Sequence, residues 1–387
     1  MTQPKWPTVK LGDIAHIAAG GTPKRSNPSY FGGDIPWVKI TDIRHARVFR
    51  TEETITEEGL NSSAAKIFPA GTLLFSIFAT VGKCSILEIK AATNQAIAGI
   101  QISDSNVELP YLYHYLSYLR PQIESRAKGV AQNNINLKTL KQLEIPLPPL
   151  EEQRRIAEML DKAVTNLDNS RKSLKALNTF LPNLFESSFN RGNRTITSIG
   201  SYLAQTQYGT GAKAGESGTF PILRMGNITF EGQIDFSDLK FIDLDPSEFV
   251  KYTLKTGDIL FNRTNSKDLV GKTAVYYGEE GSFAYAGYLV RCRANSNSTP
   301  EYISGYLNSP TGKAVLRNAA KSIVGMANIN AKELQRLPIP EADPVEQRQW
   351  AEFAQEIHNL SDKLKKQVTL HHELYESLSA RAFTGEL

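Results

Sequence analysis

The sequence predicts an α+β protein built as two similar halves, each a globular domain followed by a long amphipathic helix. Three observations carry that expectation. The stretch Asn134–Arg155 (N-I-N-L-K-T-L-K-Q-L-E-I-P-L-P-P-L-E-E-Q-R-R) returns as Asn328–Gln349 (N-I-N-A-K-E-L-Q-R-L-P-I-P-E-A-D-P-V-E-Q-R-Q), at a constant offset of 194 positions. An ungapped offset of that length marks an internal duplication. Before each copy, short β-type runs alternate with Gly and Pro turn signals; from the end of each copy, apolar residues step by three and four.

The elements follow in order. Residues 1–150 form a first domain with β-type runs at Pro36–Ile40, Thr72–Phe78 and Ala96–Ile102, punctuated by glycine pairs at 20–21 and 32–33 and by Pro23, Pro28 and Gly71. A helix is expected from Pro110 to about Ala127, with Leu112, Tyr115, Leu116 and Leu119 on one face. There is no βαβ alternation. Residues 151–193 form the first spacer helix, in which Leu160, Ala163, Leu167, Ser170, Leu174, Leu177, Leu181 and Leu184 trace a coiled-coil seam. Glu151 and Glu152 complement the dipole of its first turn, and Gly192 suits its end. Pro182 is expected to kink or end the rod after about thirty residues, or roughly 45 Å.

Residues 194–341 repeat the first domain. G-T-L-L-F-S at 71–76 aligns with G-D-I-L-F-N at 257–262, Val81-Gly-Lys with Val270-Gly-Lys, and Gly21-Thr22 with Gly209-Thr210. Residues 342–387 form the second spacer helix. Asp343 caps it, Pro344 fits its first position and Glu346 completes a capping box. Phe353, Ile357, Leu360, Leu364, Val368, Leu374 and Leu378 continue its stripe. The two helices are expected to pair with each other as antiparallel coiled-coil partners, giving a pseudo-two-fold repeat. The alternative is that each stripe packs only on its own domain.

Composition sets bounds. A chain of 387 residues has room for two or three domains, and 41% hydrophobic with 22% charged residues is ordinary for a globular protein. No apolar run is long enough to span a membrane, and the first residues lack the apolar core of a signal peptide. Cys84 and Cys292 are the only cysteines, which fits a reducing cytoplasm. The net charge of +4 is too small to indicate a nucleic-acid binder by itself.

Catalytic motifs fail one by one. Gly82-Lys83 and Gly271-Lys272 resemble a phosphate-loop ending, but the glycine required five positions earlier is Ile77 or Ser266. Asn27-Pro28-Ser29-Tyr30 departs at Ser29 from the Asn-Pro-Pro-aromatic motif of amino-methyltransferases, and a turn accounts for it. The six histidines show no metal-ligand spacing. A non-catalytic chain is expected, with no cofactor and no metal of its own.

Local charge is more informative. Six basic residues lie between Lys24 and Arg50 against Asp34 and Asp42, and five between Lys251 and Lys272 against Asp258 and Asp268. Lys and Arg attract phosphates, whereas Arg, Asn and Gln pair with base edges. The DNA-contact candidates in the first half are Lys24, Arg25, Lys39, Arg44, Thr80, Lys83, Asn94 and Gln95. Those in the second half are Lys213, Arg224, Asn227, Arg263, Asn265, Ser266, Lys267 and Lys272. Simple solvated loops are the competing explanation for any single residue. A similar loop after the central strand of both halves favours function.

Several motifs together resemble the specificity subunit of type I restriction–modification systems. They are G-G-T-P at 20–23, F-G-G-D-I-P-W-V at 31–38, G-T-L-L-F-S at 71–76, A-T-N-Q-A at 92–96, and I-P-L-P-P-L-E-E-Q-R-R-I-A at 145–157 with its echo at 339–348. The second half departs in lacking the full G-G-T-P. The resemblance implies two target-recognition domains, each reading one half of an asymmetric bipartite site in double-stranded DNA. It implies that the helices space the halves and dock two modification (methyltransferase) subunits, through Glu152, Gln153, Arg154, Glu346, Gln347 and Arg348. S-adenosylmethionine would belong to those partners, and ATP with Mg to restriction subunits. A coiled-coil scaffold with no DNA role is the other reading of the same architecture.

Overall fold

A computed structural model describes residues 6–78, 80–128, 134–323 and 326–387. The chain divides into two compact units, Met1–Asn169 with Val368–Leu387, and Ser170–Gln367. Each unit joins a globular domain to one stretch of each long helix.

In the first unit a five-stranded sheet runs in the order Ala15–Ala19, Ile97–Ile102, Leu73–Ser76, Cys84–Leu87, Arg47–Val48. The first three pairings are antiparallel and the last is parallel. Leu73–Ser76 is buried along its whole length, and a strand covered on both faces reads as a continuous apolar run. That is why L-L-F-S was legible as a strand. A second sheet of four strands forms around Phe31–Val38. This strand stops short of Ile40, which opens a 3-10 turn held by the Asp42 carboxylate on the Lys39 N–H at 2.8 Å. Helix α1 (Leu109–Lys128) then covers the five-stranded sheet, with Tyr111, Leu112 and Leu116 fully buried.

The second unit repeats this plan. Its four-stranded sheet has the order Leu203–Tyr208, Leu289–Ala294, Ile259–Asn262, Thr273–Val275, all antiparallel. Helix α2 (Leu150–Phe189) is the first long helix, α3 (Pro300–Asn308) is the counterpart of the first part of α1, α4 (Pro310–Ala319) follows, and α5 (Pro344–Thr384) is the second long helix.

The repeated segment ties each domain to its helix in the same way. Glu144–Pro146 pairs antiparallel with Thr8–Lys10, and Pro338–Pro340 with Ile196–Ser198. Tyr111 donates its hydroxyl to the Pro146 carbonyl and Tyr302 to that of Pro340, both at 2.7 Å. In the first unit the start of α2 (Ile156, Leu160) shares a core with the end of α5 (Ala382, Phe383). In the second, the end of α2 (Phe185, Phe189) shares one with the start of α5 (Trp350, Ala354). Within each unit the long helices therefore run antiparallel, as the stripes predict.

Two details differ from the sequence expectation. Helix α2 runs through Pro182 to Phe189 without ending there. Proline removes one helical hydrogen bond, but Leu181, Leu184 and Phe185 on either side pack into the second core and hold the helix together. The stripe of α5 is also not uniformly a seam: Leu360 and Leu374 are 45% and 47% exposed, while Ser361 and Ser379 are buried. Periodicity gives a face to within about one residue, and packing decides which neighbour is inside.

Candidate nucleic-acid interface

The candidate site in each domain is the end of the main sheet where the loop after its inner strand (Leu73–Ser76 or Ile259–Asn262) meets the repeated N-I-N segment. In the second unit Thr264–Asn265 pairs with Met326–Asn328. Ile329 donates its N–H to the Arg263 carbonyl at 2.9 Å, and Arg263 donates its own to Tyr288 at 3.0 Å. In the first unit Phe78 bridges to Asn134, and Ile135 donates to the Ile77 carbonyl at 3.0 Å. The duplicated segment is thus a backbone strap across the loop that the charge pattern singled out. A strapped loop presents side chains with less conformational freedom to lose on binding.

Gly21 and Gly209 bring a second loop to the same end of each sheet. A Cβ on Gly21 would overlap the backbone of Ala64 and Ala65, and one on Gly209 the carbonyls of Tyr285 and Ala286. The G-T pair shared by the halves is therefore a close-packing requirement.

In the second unit, Arg263 stacks its guanidinium 4.8 Å above the Tyr208 ring. The Tyr208 hydroxyl accepts from the Ala331 N–H at 3.1 Å, and Asn328 donates to the Thr264 hydroxyl at 2.7 Å. Asn265, Ser266 and Lys267 follow Arg263 after the buried Thr264, Ser266 and Lys267 being exposed and Asn265 half-buried. Tyr288 and Met326 are 53% and 46% exposed. Arg263, Asn265, Ser266 and Lys267 are sequence candidates; Tyr208, Tyr288 and Asn328, which the sequence did not single out for this role, lie against the same loop. The signal was present, since Asn328 is a marker of the repeat, but repetition by itself does not distinguish framework from surface.

In the first unit Thr22, Thr80, Asn94 and Gln95 lie around the corresponding loops, with Thr22 hydrogen-bonded to Gln95. Asn94 accepts the Ala96 N–H at 3.1 Å. Lys83 is half-buried, and Gln95 and Phe78 are exposed.

Other candidates are engaged elsewhere. Arg25 and Lys39 meet Glu53 at 2.7 and 2.6 Å, and Arg44 meets Glu52 at 2.6 Å. The hydrogen bond to Glu53 raises Lys39 above the ordinary lysine value. Three of the six basic residues between 24 and 50 are thus paired with acids lying just beyond the run. Lys24 and Lys213 are exposed. Arg224 pairs with Asp238 at 2.9 Å. Asn227 is 3% exposed and donates to the Asp235 and Asp238 carbonyls. Lys272 is 8% exposed and donates to the Met225 carbonyl at 2.8 Å. Asn227 and Lys272 are framework residues, because a loop must satisfy its own carbonyls before it can offer donors to a ligand.

The E-Q-R helix starts are corrected in the same way. Gln153 accepts the Glu108 N–H and donates to the Asn106 and Pro148 carbonyls, while fully buried. Gln347, 1% exposed, accepts the Thr299 N–H and donates to the Asn297 and Ala342 carbonyls. These glutamines clamp helix to domain and offer a partner nothing. Arg154 meets Glu108 at 2.6 Å, Glu346 meets Arg194 at 2.8 Å, Glu152 meets Arg155 at 2.7 Å, and Arg348 is exposed.

Lys313, on α4, was not foreseen. Burial, with Lys272 nearby, pushes it down to about 8. Because its folded-state value lies below the ordinary 10.5, the unfolded chain binds more protons between those values, and stability should rise as pH increases from about 8 towards 10.5. Lys313→Met is expected to flatten that slope in thermal melts. An unchanged slope would show that another group carries it.

Among the described residues no group of three His, Cys, Asp or Glu side chains could hold a metal ion, and no helix is long and apolar enough to cross a membrane.

Residues 4–179 match the family model of the type I restriction modification DNA specificity domain. The EcoKI specificity subunit of Escherichia coli K12 is 24% identical over 99% of this chain and 89% of its own length. The MjaIX specificity subunit of Methanocaldococcus jannaschii is 31% identical over 48% of this chain and 44% of its own. The crystal structure of a type I restriction–modification S subunit from M. genitalium superposes with a TM-score of 0.58 at 15% identity, covering 98% of this chain and 96% of that one. At that identity the likeness speaks to the fold.

Proposed function

The chain belongs to the specificity subunits of type I restriction–modification systems, and from that premise we propose that the strapped loop of each unit reads one half of a bipartite DNA site. The observation that carries this reading is Arg263, half-exposed and stacked on Tyr208 in a loop held by the N-I-N strap. A stacked guanidinium keeps its planar fork oriented, and that fork matches the acceptor pair of guanine in the major groove. Asn265 beside it suits adenine. In the first unit Gln95, Asn94 and Thr80 take these roles with a different residue set, so the two half-sites differ in sequence.

The remaining roles follow from membership of the family. The long helices set the spacing of the half-sites and dock the methyltransferase subunits. Those partners supply S-adenosylmethionine chemistry, and restriction subunits supply ATP- and Mg-dependent steps. The chain itself supplies the address, in the cytoplasm where the DNA lies. The scaffold reading is not favoured, since it gives no reason for the same strapped polar loop in both units.

Arg263→Ala, assembled with its methyltransferase partner, is expected to lose about 1–3 kcal/mol of discrimination at one base pair. Only one half-site should be relaxed, and Arg263→Lys should not restore it. Methylation of oligonucleotide libraries reads this directly. Equal loss at both halves, or none, would remove Arg263 from the interface.

A further inference from the structure

The second unit contains a cavity of about 40 Å³, open in part to solvent, where α2, α3 and α5 meet. Leu177, Leu181, Val275, Ala354 and Ile357 give it apolar walls. It is not an inevitable product of the fold. The equivalent bonds of Tyr111 and Tyr302 align α1 with α3, placing Tyr113 opposite Ser304 and His114 opposite Gly305. The equivalent clamps of Gln153 and Gln347 align the long helices, placing Leu160 opposite Ala354, Leu167 opposite Ser361 and Tyr375 opposite Leu181. Where the second unit has small residues, the first has bulky ones, and the His114 and Tyr375 rings meet there tilted at 54°, their centroids 6.3 Å apart.

The polar lining is lopsided. Three of its donors are engaged within the protein: Trp350 Nε1 on the Glu301 carbonyl at 3.0 Å, Gln233 Nε2 on Ser361 at 2.8 Å, and Asn308 Nδ2 on the Thr273 carbonyl at 2.9 Å. Tyr277 donates its hydroxyl to the Glu301 carboxylate at 3.2 Å, and His358 donates Nδ1–H to the Ala354 carbonyl at 2.7 Å. Two acceptors on the wall are left without partners. Asn308 Oδ1 is buried without a partner. Pro182 has no N–H, so the Asn178 carbonyl on the cavity wall lacks its helical donor. The charged lining residues are Glu231 and Glu301. Glu231 also faces Lys272 and Lys313, which leaves Glu301 as the uncompensated charge.

We propose that this cavity binds a guanidinium or amidine carried on a short apolar body. Such a group brings several donors in one plane, a positive charge for Glu301 and an apolar stem for the leucine-lined wall. Tyr277 and Trp350 add aromatic surface of the kind that attracts cations. The same chemistry is available from a free small molecule and from an arginine side chain of an assembled partner.

Benzamidine is the test probe, with benzamide as its neutral isostere, in calorimetric titration of the full chain. One benzamidine per chain is expected, and benzamide should bind about tenfold more weakly, as loss of one charge-assisted hydrogen bond implies. Ser304→Tyr, which copies the first unit, should abolish binding. Glu301→Gln, a milder change whose folding is checked by circular dichroism, should make the two probes equivalent. Repeating the titration after assembly with the methyltransferase separates the sources: retained binding indicates a free ligand, and exclusion indicates an arginine of the partner. No saturable binding, equal affinity for benzamide, or a folded Ser304→Tyr that still binds would overturn the proposal. Half-site reading through Arg263 is a separate measurement and does not depend on this outcome.

Discussion

Asp258→Ala is expected to destabilise the second unit by about 3–5 kcal/mol, the usual cost of removing one member of a buried ion cluster. Asp258 and Arg291 are each 2% exposed. The Asp258 carboxylate accepts from Arg293 Nε at 2.7 Å, from its Nη2 at 3.2 Å, and from the Lys255 N–H at 2.9 Å. Arg291 Nε lies 3.8 Å away. Without the carboxylate, Arg293 loses its partner, and the buried Arg291, two positions away on the same strand, loses the nearest negative charge. The loss should be confined to the second unit, because the corresponding first-unit positions are Thr72, Gly99 and Gln101. Hydrogen exchange over Leu289–Ala294 against Ile97–Ile102 reads the difference. Protection reduced equally in both strands, or a loss under about 1 kcal/mol, would show that the cluster is hydrated or compensated.

Gln347→Leu should cost about 1–3 kcal/mol, since it removes a buried carboxamide that holds three part-buried backbone groups. Those groups are the Thr299 N–H and the Asn297 and Ala342 carbonyls, all held by one carboxamide. Leucine matches the glutamine in volume, so the cost is one of hydrogen bonding rather than of an empty cavity. Gln153→Leu is expected to act the same way in the first unit, on the Glu108 N–H and the Asn106 and Pro148 carbonyls. Denaturant unfolding of each variant should show one destabilised unit and one near its original midpoint. If Gln347→Leu instead left stability intact and impaired only association with the methyltransferase, the glutamine would be a docking residue after all.

These two sites show what kind of error a sequence reading makes. The repeat lies where each domain meets its long helix, and Pro-rich strand ends and capping residues mark that place locally. The roles inside it are not local. Gln153 and Gln347 are docking candidates by the family resemblance alone, and the structure buries both. Their burial comes from loops 106–108 and 297–299, which no local pattern connects to them. The basic run around Lys39 was overread for a related reason: Glu52 and Glu53 return to it by strand pairing, at Trp37↔Glu53. Pro182 does not end the helix, because the core around Phe185 holds the residues on both sides of it.

The sequence by itself determined the duplication, the order of domain and helix, the apolar strands and the antiparallel partnership of the long helices. Each of these rests on periodicity or on a local backbone preference, and both are written in neighbouring residues. Only the tertiary structure decided which polar residues face solvent. It turned Asn227, Lys272, Gln153 and Gln347 into framework, and set Arg263 on Tyr208 at the sheet end. It also left one unit with a cavity that the other fills. Those outcomes depend on which distant carbonyl, carboxylate or ring each side chain meets, and folding alone brings such groups together.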